Sequence, residues 1–206
     1  GGGRGGDVLL AAPRVYVADT AKIDTYGDAG AAGDVTVQAD RFRLAAGTLQ
    51  SGAFGTADGG RVSVEARLIE LLDSGKIYSA AYGDGRPGEI ALRASERIVT
   101  RGADATATPA VVSTFNYGPG NNRDVTIAAP AIDFEGAIVW NLAYGTGDTG
   151  AIRLSGDTVR LGTGPGAPLV IESGAASPDS GRAGNVEIRA SESIVLDGMG
   201  NPFVWS

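Results

Sequence analysis

Histidine and cysteine are both missing from the 206 residues. Their absence removes Ser/His/Asp and Cys/His nucleophilic catalysis, imidazole or thiolate metal ligation, and every disulfide or thiol redox scheme. Long apolar runs are missing as well: no stretch approaches the roughly 20 residues that a membrane-spanning helix needs. There is no initiator Met and no basic segment leading into an apolar stretch with a small-residue cleavage site. The chain opens on Gly1-Gly2-Gly3-Arg4-Gly5-Gly6 and is expected to be a segment of a longer protein. Basic residues are in the minority. The 24 acidic against 17 basic side chains give a formal charge of −7, whose field repels nucleic acid phosphates and anionic headgroups. Neither nucleic acid nor direct membrane insertion is expected.

What is present is glycine and evenly spread apolar residues. With 33 Gly and 9 Pro, turns must be frequent and short, while 43% apolar residues are too many for a disordered low-complexity chain. An apolar-x-apolar pair recurs seven times, usually after a turn containing Gly: Val8/Leu10, Val35/Val37, Val62/Val64, Ile90/Leu92, Val125/Ile127, Ile152/Leu154 and Val186/Ile188. First members lie 27, 27, 28, 35, 27 and 34 residues apart, a period that signals a solenoid or array. Seven or eight residues later comes a second pair: Val15/Val17, Phe42/Leu44, Ile69/Leu71, Ile98/Thr100, Ile132/Phe134, Val159/Leu161 and Ile194/Leu196. A third apolar stretch follows around Ile23, Leu49, Ile77, Val112, Val139, Ile171 and Val204.

Alternation at period two means strands, so each unit reads as three strands of four or five residues. The expected fold is an all-β parallel β-helix of about seven three-strand coils of 27–35 residues, starting near positions 8, 35, 62, 90, 125, 152 and 186, in one domain over 1–206. A sandwich would also have short alternating strands, but has no reason to repeat one three-strand unit in register. Seven coils at one strand spacing each span about 34 Å.

Equivalent positions of neighbouring coils should then sit side by side, which tests the register. Glu65 aligns with Arg93, Arg153 with Glu187, Arg43 with Glu70 and Asp133 with Arg160, a charge ladder in which each pair contributes about 0.2–1 kcal/mol. Where the third strand ends, Tyr26-Gly27, Phe54-Gly55, Tyr82-Gly83, Tyr117-Gly118 and Tyr144-Gly145 predict a stacked aromatic ladder, each Gly supplying a turn with positive φ. Ala175-Ala176 stands there in the sixth coil, so the stack should stop.

The segments Ala32-Gly33-Asp34-Val35-Thr36-Val37-Gln38-Ala39, Gly59-Gly60-Arg61-Val62-Ser63-Val64-Glu65-Ala66 and Ala183-Gly184-Asn185-Val186-Glu187-Ile188-Arg189-Ala190 resemble the repeats of filamentous haemagglutinin-like exoproteins of two-partner secretion systems. The likeness covers nearly the whole chain and consists of degenerate repeats. It implies a right-handed parallel β-helix shaft, secretion to the bacterial outer cell surface through an outer-membrane transporter, and a role in adhesion, aggregation or carrying a tip domain, with a host or neighbouring-cell receptor or glycan as partner.

Candidate sites are few. Gly2-Gly3-Arg4-Gly5-Gly6-Asp7-Val8-Leu9-Leu10 matches a calcium-binding nonapeptide, but such sites share ligands between consecutive copies and no second copy follows, so no metal or other cofactor is expected. Asp133 and Glu135 project the same way from one strand, as carboxylates do in polysaccharide-degrading β-helices. Arg160 aligns beside Asp133, and a carboxylate held by a guanidinium is a poor general acid, so the solvated ladder is the preferred reading and the chain is expected not to be an enzyme. Tyr78, Trp140 and Trp205 fall at or next to outward positions of the third strand, where aromatics can serve sugar rings or a neighbouring segment. The longer coils carry their extra length in Gly102–Pro109, Gly162–Gly166 and Ser177–Gly181, small-residue loops that read as tolerated insertions. Three functions are weighed: a structural shaft, a carbohydrate-active enzyme and a carbohydrate-binding module. The last strand stops at Phe203-Val204-Trp205-Ser206, and an open coil face of this kind predicts end-to-end self-association.

Overall fold

A computed structural model describes residues 3–102, 108–165 and 167–198, together with the backbone of 203–205. Among them every element is a strand. In chain order these are β1 (Val8–Ala11), β2 (Arg14–Ala18), β3 (Lys22–Gly27), β4 (Val35–Ala45), β5 (Thr48–Ala53), β6 (Val62–Leu72), β7 (Lys76–Ala81) and β8 (Ile90–Arg101), then β9 (Ala110–Asn116), β10 (Val125–Ala128), β11 (Ala131–Glu135), β12 (Ala137–Ala143), β13 (Ile152–Gly162), β14 (Val170–Ala175), β15 (Val186–Asp197) and β16 (Phe203–Trp205).

All ladders between these strands are parallel, and each strand pairs with its equivalents one coil away. The first apolar pair of every coil stacks in a single column, Val8, Val35, Val62, Ile90, Val125, Ile152 and Val186. The third strands stack likewise through Ile23, Leu49, Ile77, Val112, Val139, Ile171 and Val204. The molecule is a parallel β-helix of about six turns.

The coil differs from three separate short strands in one respect. In five coils the first and second stretches run on as one bent strand of 11 or 12 residues, as in β4 and β8, and only β1/β2 and β10/β11 are divided. The divisions fall at Pro13 and Pro130, which lack the N–H that the ladder uses. The bend itself follows from the side-chain pattern. Val35 and Val37 point inward, and so do Phe42 and Leu44, five residues after Val37; exposed Asp40 and Arg41 make the change of phase that strict alternation forbids.

Val35, Val37, Phe42, Leu44, Leu49 and their equivalents through the inner coils are fully buried and form one continuous core. Inside it runs a second column that is polar: Thr25, Ser51, Ser79, Thr114, Asn141 and Ser173. All but Thr114, whose buried hydroxyl has no partner among the described residues, serve the turn that closes the coil. The Thr25 and Ser51 hydroxyls donate to the Gly33 carbonyl at 2.6 and 3.0 Å, the Gly60 and Gly88 amides donate to Ser51 and Ser79 at 2.8 and 2.7 Å, and the Asn141 amide donates to the Arg123 carbonyl at 2.8 Å. Buried backbone groups that face no ladder partner must be satisfied in this way.

Candidate functional site

The helix has two broad surfaces, and they differ in chemistry. Outward positions of β3, β5, β7, β9, β12 and β14 form parallel rows. One row holds Asp24, Gln50, Tyr78, Ser113, Trp140 and Glu172; its neighbour holds Tyr26, Gly52, Ala80, Phe115, Leu142 and Gly174. Val111 and Ile138 lie beside the first row, so on the third to fifth coils this face is aromatic and aliphatic. Tyr78 and Trp140 share a row, separated by buried Ser113, and are therefore two strand spacings apart, about 9.6 Å. The side chains of both are half-buried; the Trp140 Nε1 and the Ser113 hydroxyl are shielded from solvent without a hydrogen-bond partner. Trp205 continues the row in the backbone register of β16, opposite Glu172, and its side chain lies outside the described residues.

Phe54, Tyr82, Tyr117 and Tyr144 line the margin of this face with ring centroids 4.9, 5.6 and 4.9 Å apart and planes within 13°. Tyr26 corrects the expected equivalence. In register it stands opposite Gly52, two residues before the position of Phe54, and its ring joins the stack at 5.6 Å and 32° because Gly52 leaves the space open. The glycines after the rings also differ from expectation. Only Gly55 has positive φ, at 73°; a Cβ on Gly83, Gly118 or Gly145 would overlap the carbonyl oxygen of the glycine one coil before. Close stacking of turns, not backbone handedness, requires glycine there. The ladder is more solvated than core packing implies, with Tyr117 52% exposed. Burial is nevertheless the leading cause that raises the pKa values of Tyr78, Tyr82 and Tyr144. At the edge of the face Lys22 donates to the Tyr26 hydroxyl at 2.8 Å, which raises the ammonium pKa.

The other surface, the outward side of the bent strands, is charged. All four sequence-aligned pairs are register partners: Glu65 with Arg93, Arg43 with Glu70, Asp133 with Arg160, and Arg153 with Glu187. Side-chain pairing follows the register only in part. Arg153 reaches Glu187 at 3.6 Å and Arg160 reaches Asp133 at 3.9 Å. Glu70 is held by Arg41 instead of Arg43, at 2.6 and 2.9 Å, because a diagonal approach lets both carboxylate oxygens meet the guanidinium fork. Glu65 and Arg93 form no ion pair.

Asp133 and Glu135 are brought together as the pattern suggested, but Arg101 lies across both, 2.7 Å from Asp133 and hydrogen-bonded to Glu135. Sequence alignment missed Arg101, which ends β8 two positions beyond Val99, the register partner of Asp133. The Asp7 carboxylate accepts from the Asp34 amide at 2.8 Å and from Arg4 at 2.9 Å, so it caps the next coil. Among the described residues no group of three or more acidic side chains is placed to hold a metal ion. Of the three insertions, Ser177–Gly181 folds back through Ser180, which donates to the Ala143 carbonyl at 2.9 Å, while residues 103–107 and 166 lie outside the described residues.

Comparison with protein-family models, with curated proteins and with solved structures found no match. What the fold defines by itself is the class: a parallel β-helix with one aromatic and one charged face.

Proposed function

We propose that this chain is a non-catalytic shaft segment of a secreted bacterial surface exoprotein of the haemagglutinin-like, two-partner-secretion kind, mediating adhesion or carrying a distal functional domain. The observation that supports it most is the parallel stacking of like strands coil on coil, shifted locally only after Ala66 and Gly156, with Asp133 and Glu135 both engaged by Arg101. A shaft needs stacking and solvated sides; a glycosidase or lyase needs a cleft in which carboxylates meet substrate. On this reading the partners are an outer-membrane transporter during export and a surface receptor or glycan afterwards. Antibody against the chain should label unpermeabilised source cells, and a panel of acidic and neutral polysaccharides incubated with the protein should release no new reducing ends or unsaturated products. Labelling only after permeabilisation, or product formation abolished by Asp133→Asn, would overturn the proposal.

The aromatic face favours a second reading, carbohydrate contact through Tyr78 and Trp140. Their shared row and two-coil spacing suit an extended glycan running along the helix axis. A glycan array should then give hits that vanish in Trp140→Ala, and an array without hits sinks this reading.

A further inference from the structure

Towards the later coils of the charged face acids and bases alternate from coil to coil through Arg101, Asp133, Arg160 and Asp197. The first two coils break that alternation. Arg14 stands directly opposite Arg41, and Tyr16 opposite Arg43. Like charges facing each other on neighbouring strands are destabilising unless an acid separates them. Of the acids nearby, Asp40 directly precedes Arg41 and forms no ion pair among the described residues, and both oxygens of Glu70 are taken by Arg41. Among the described residues Arg14 and Arg43 are left without a carboxylate partner. The Arg43 guanidinium lies over the Tyr16 ring, 5.3 Å from its centroid, and its Nε is shielded from solvent with no acceptor. A shallow cleft opens here, lined by Arg14, Val15, Tyr16, Arg41 and Arg43, with the Tyr16 ring 61% exposed.

We propose that this cleft binds a carboxylate carried on a sugar ring, a uronic acid residue of an acidic polysaccharide. Two guanidinium groups without counterions supply forked donors that match the two oxygens of a carboxylate. Tyr16 supplies the apolar flank on which the C–H face of the ring rests. The chain's net charge of −7 works against a partner charged at every unit, such as nucleic acid, and leaves a local site for an isolated acidic group. The proposal is independent of the shaft reading, because either can fail without the other.

The test is an amide-resolved NMR titration of the whole chain with glucuronate, glucose, acetate and inorganic sulfate in parallel. Glucuronate should shift amides of Arg14–Ala18 and of residues 41–43, and glucose should not. Arg14→Gln and Arg43→Gln should each weaken glucuronate binding about tenfold or more, the size of one charge-assisted hydrogen bond. Tyr16→Ala should weaken glucuronate while leaving sulfate unchanged. Arg14 and Tyr16 are exposed and Arg43 is half-buried, and the same spectra report that each variant keeps the fold. No shift at millimolar glucuronate, or unchanged binding in Arg43→Gln, overturns the site. An equal response to acetate, sulfate and glucuronate overturns the sugar part and leaves a bare-anion site.

Discussion

Glycine at the coil-closing turns illustrates how a single residue is constrained by the coil beneath it. A Cβ at Gly33, Gly60, Gly88 or Gly184 would overlap the carbonyl oxygen of the glycine one coil earlier, Gly6, Gly33, Gly60 and Gly150 respectively. The constraint is stacking distance, so it disappears where nothing lies underneath. Gly88→Ala should lower stability by about 1–3 kcal/mol in urea unfolding, the range for forced overpacking, whereas Gly6→Ala, with nothing within 4 Å of its Cβ, should leave the midpoint unchanged. Equal midpoints for the two variants would contradict the stacking account. The same turns explain the polar column in the core. Ser79 accepts from Gly88, and an apolar substitute there would leave that buried amide without a partner.

The aromatic ladder works at the scale of the element. Each inner ring contacts the rings one coil before and after, so the stack ties the ends of β5, β7, β9 and β12 together along the helix axis. Ionising a ring in it is disfavoured, since partial burial raises the Tyr82 and Tyr144 pKa values above the ordinary value near 10. A group whose folded pKa is raised holds its proton more tightly in the folded state. Its contribution is complete below the unfolded pKa and is lost as pH rises through the folded one. Unfolding midpoints should therefore fall as pH is raised past about 10, and the Tyr82→Phe/Tyr144→Phe double variant should fall less steeply. Parallel curves for parent and variant would show that the ladder does not titrate with unfolding.

At the scale of the molecule, the backbone of a coil pairs only with its neighbours, so stability is chiefly a sum of coil terms and interfaces, with an occasional longer reach such as Arg123 to Asp58 two coils away at 3.8 Å. Ile194 and Leu196 of β15 occupy the inward columns of Val159 and Leu161, yet they are 48% and 56% exposed. At the opposite end Val8, Leu10 and Val15 of the inward columns are only partly buried. Apolar surface on coil ends of this kind should drive end-to-end association. Sedimentation at rising concentration should reveal growing species, suppressed by Ile194→Lys. A monodisperse monomer throughout the range would be the contrary result.

The strand columns were legible in the residues because inward positions of a solenoid repeat at a fixed interval, and the apolar character of Val35, Val62 and Ile90 carries their register without any knowledge of the turns. The polar column from Thr25 to Ser173 was equally regular, two residues after each third-strand apolar position, and its signal lay in the sequence unread. Other features depended on tertiary structure. Which carboxylate meets which guanidinium is decided by side-chain reach across two coils, so Glu70 pairs diagonally with Arg41, and Arg101 takes both Asp133 and Glu135. Tyr26 joins its stack from a position two residues out of register because Gly52 leaves room. Sequence by itself determined the coil, since burial periodicity is a property of the chain. The chemistry of the two faces was decided only by folding, since long side chains choose partners by distance in space.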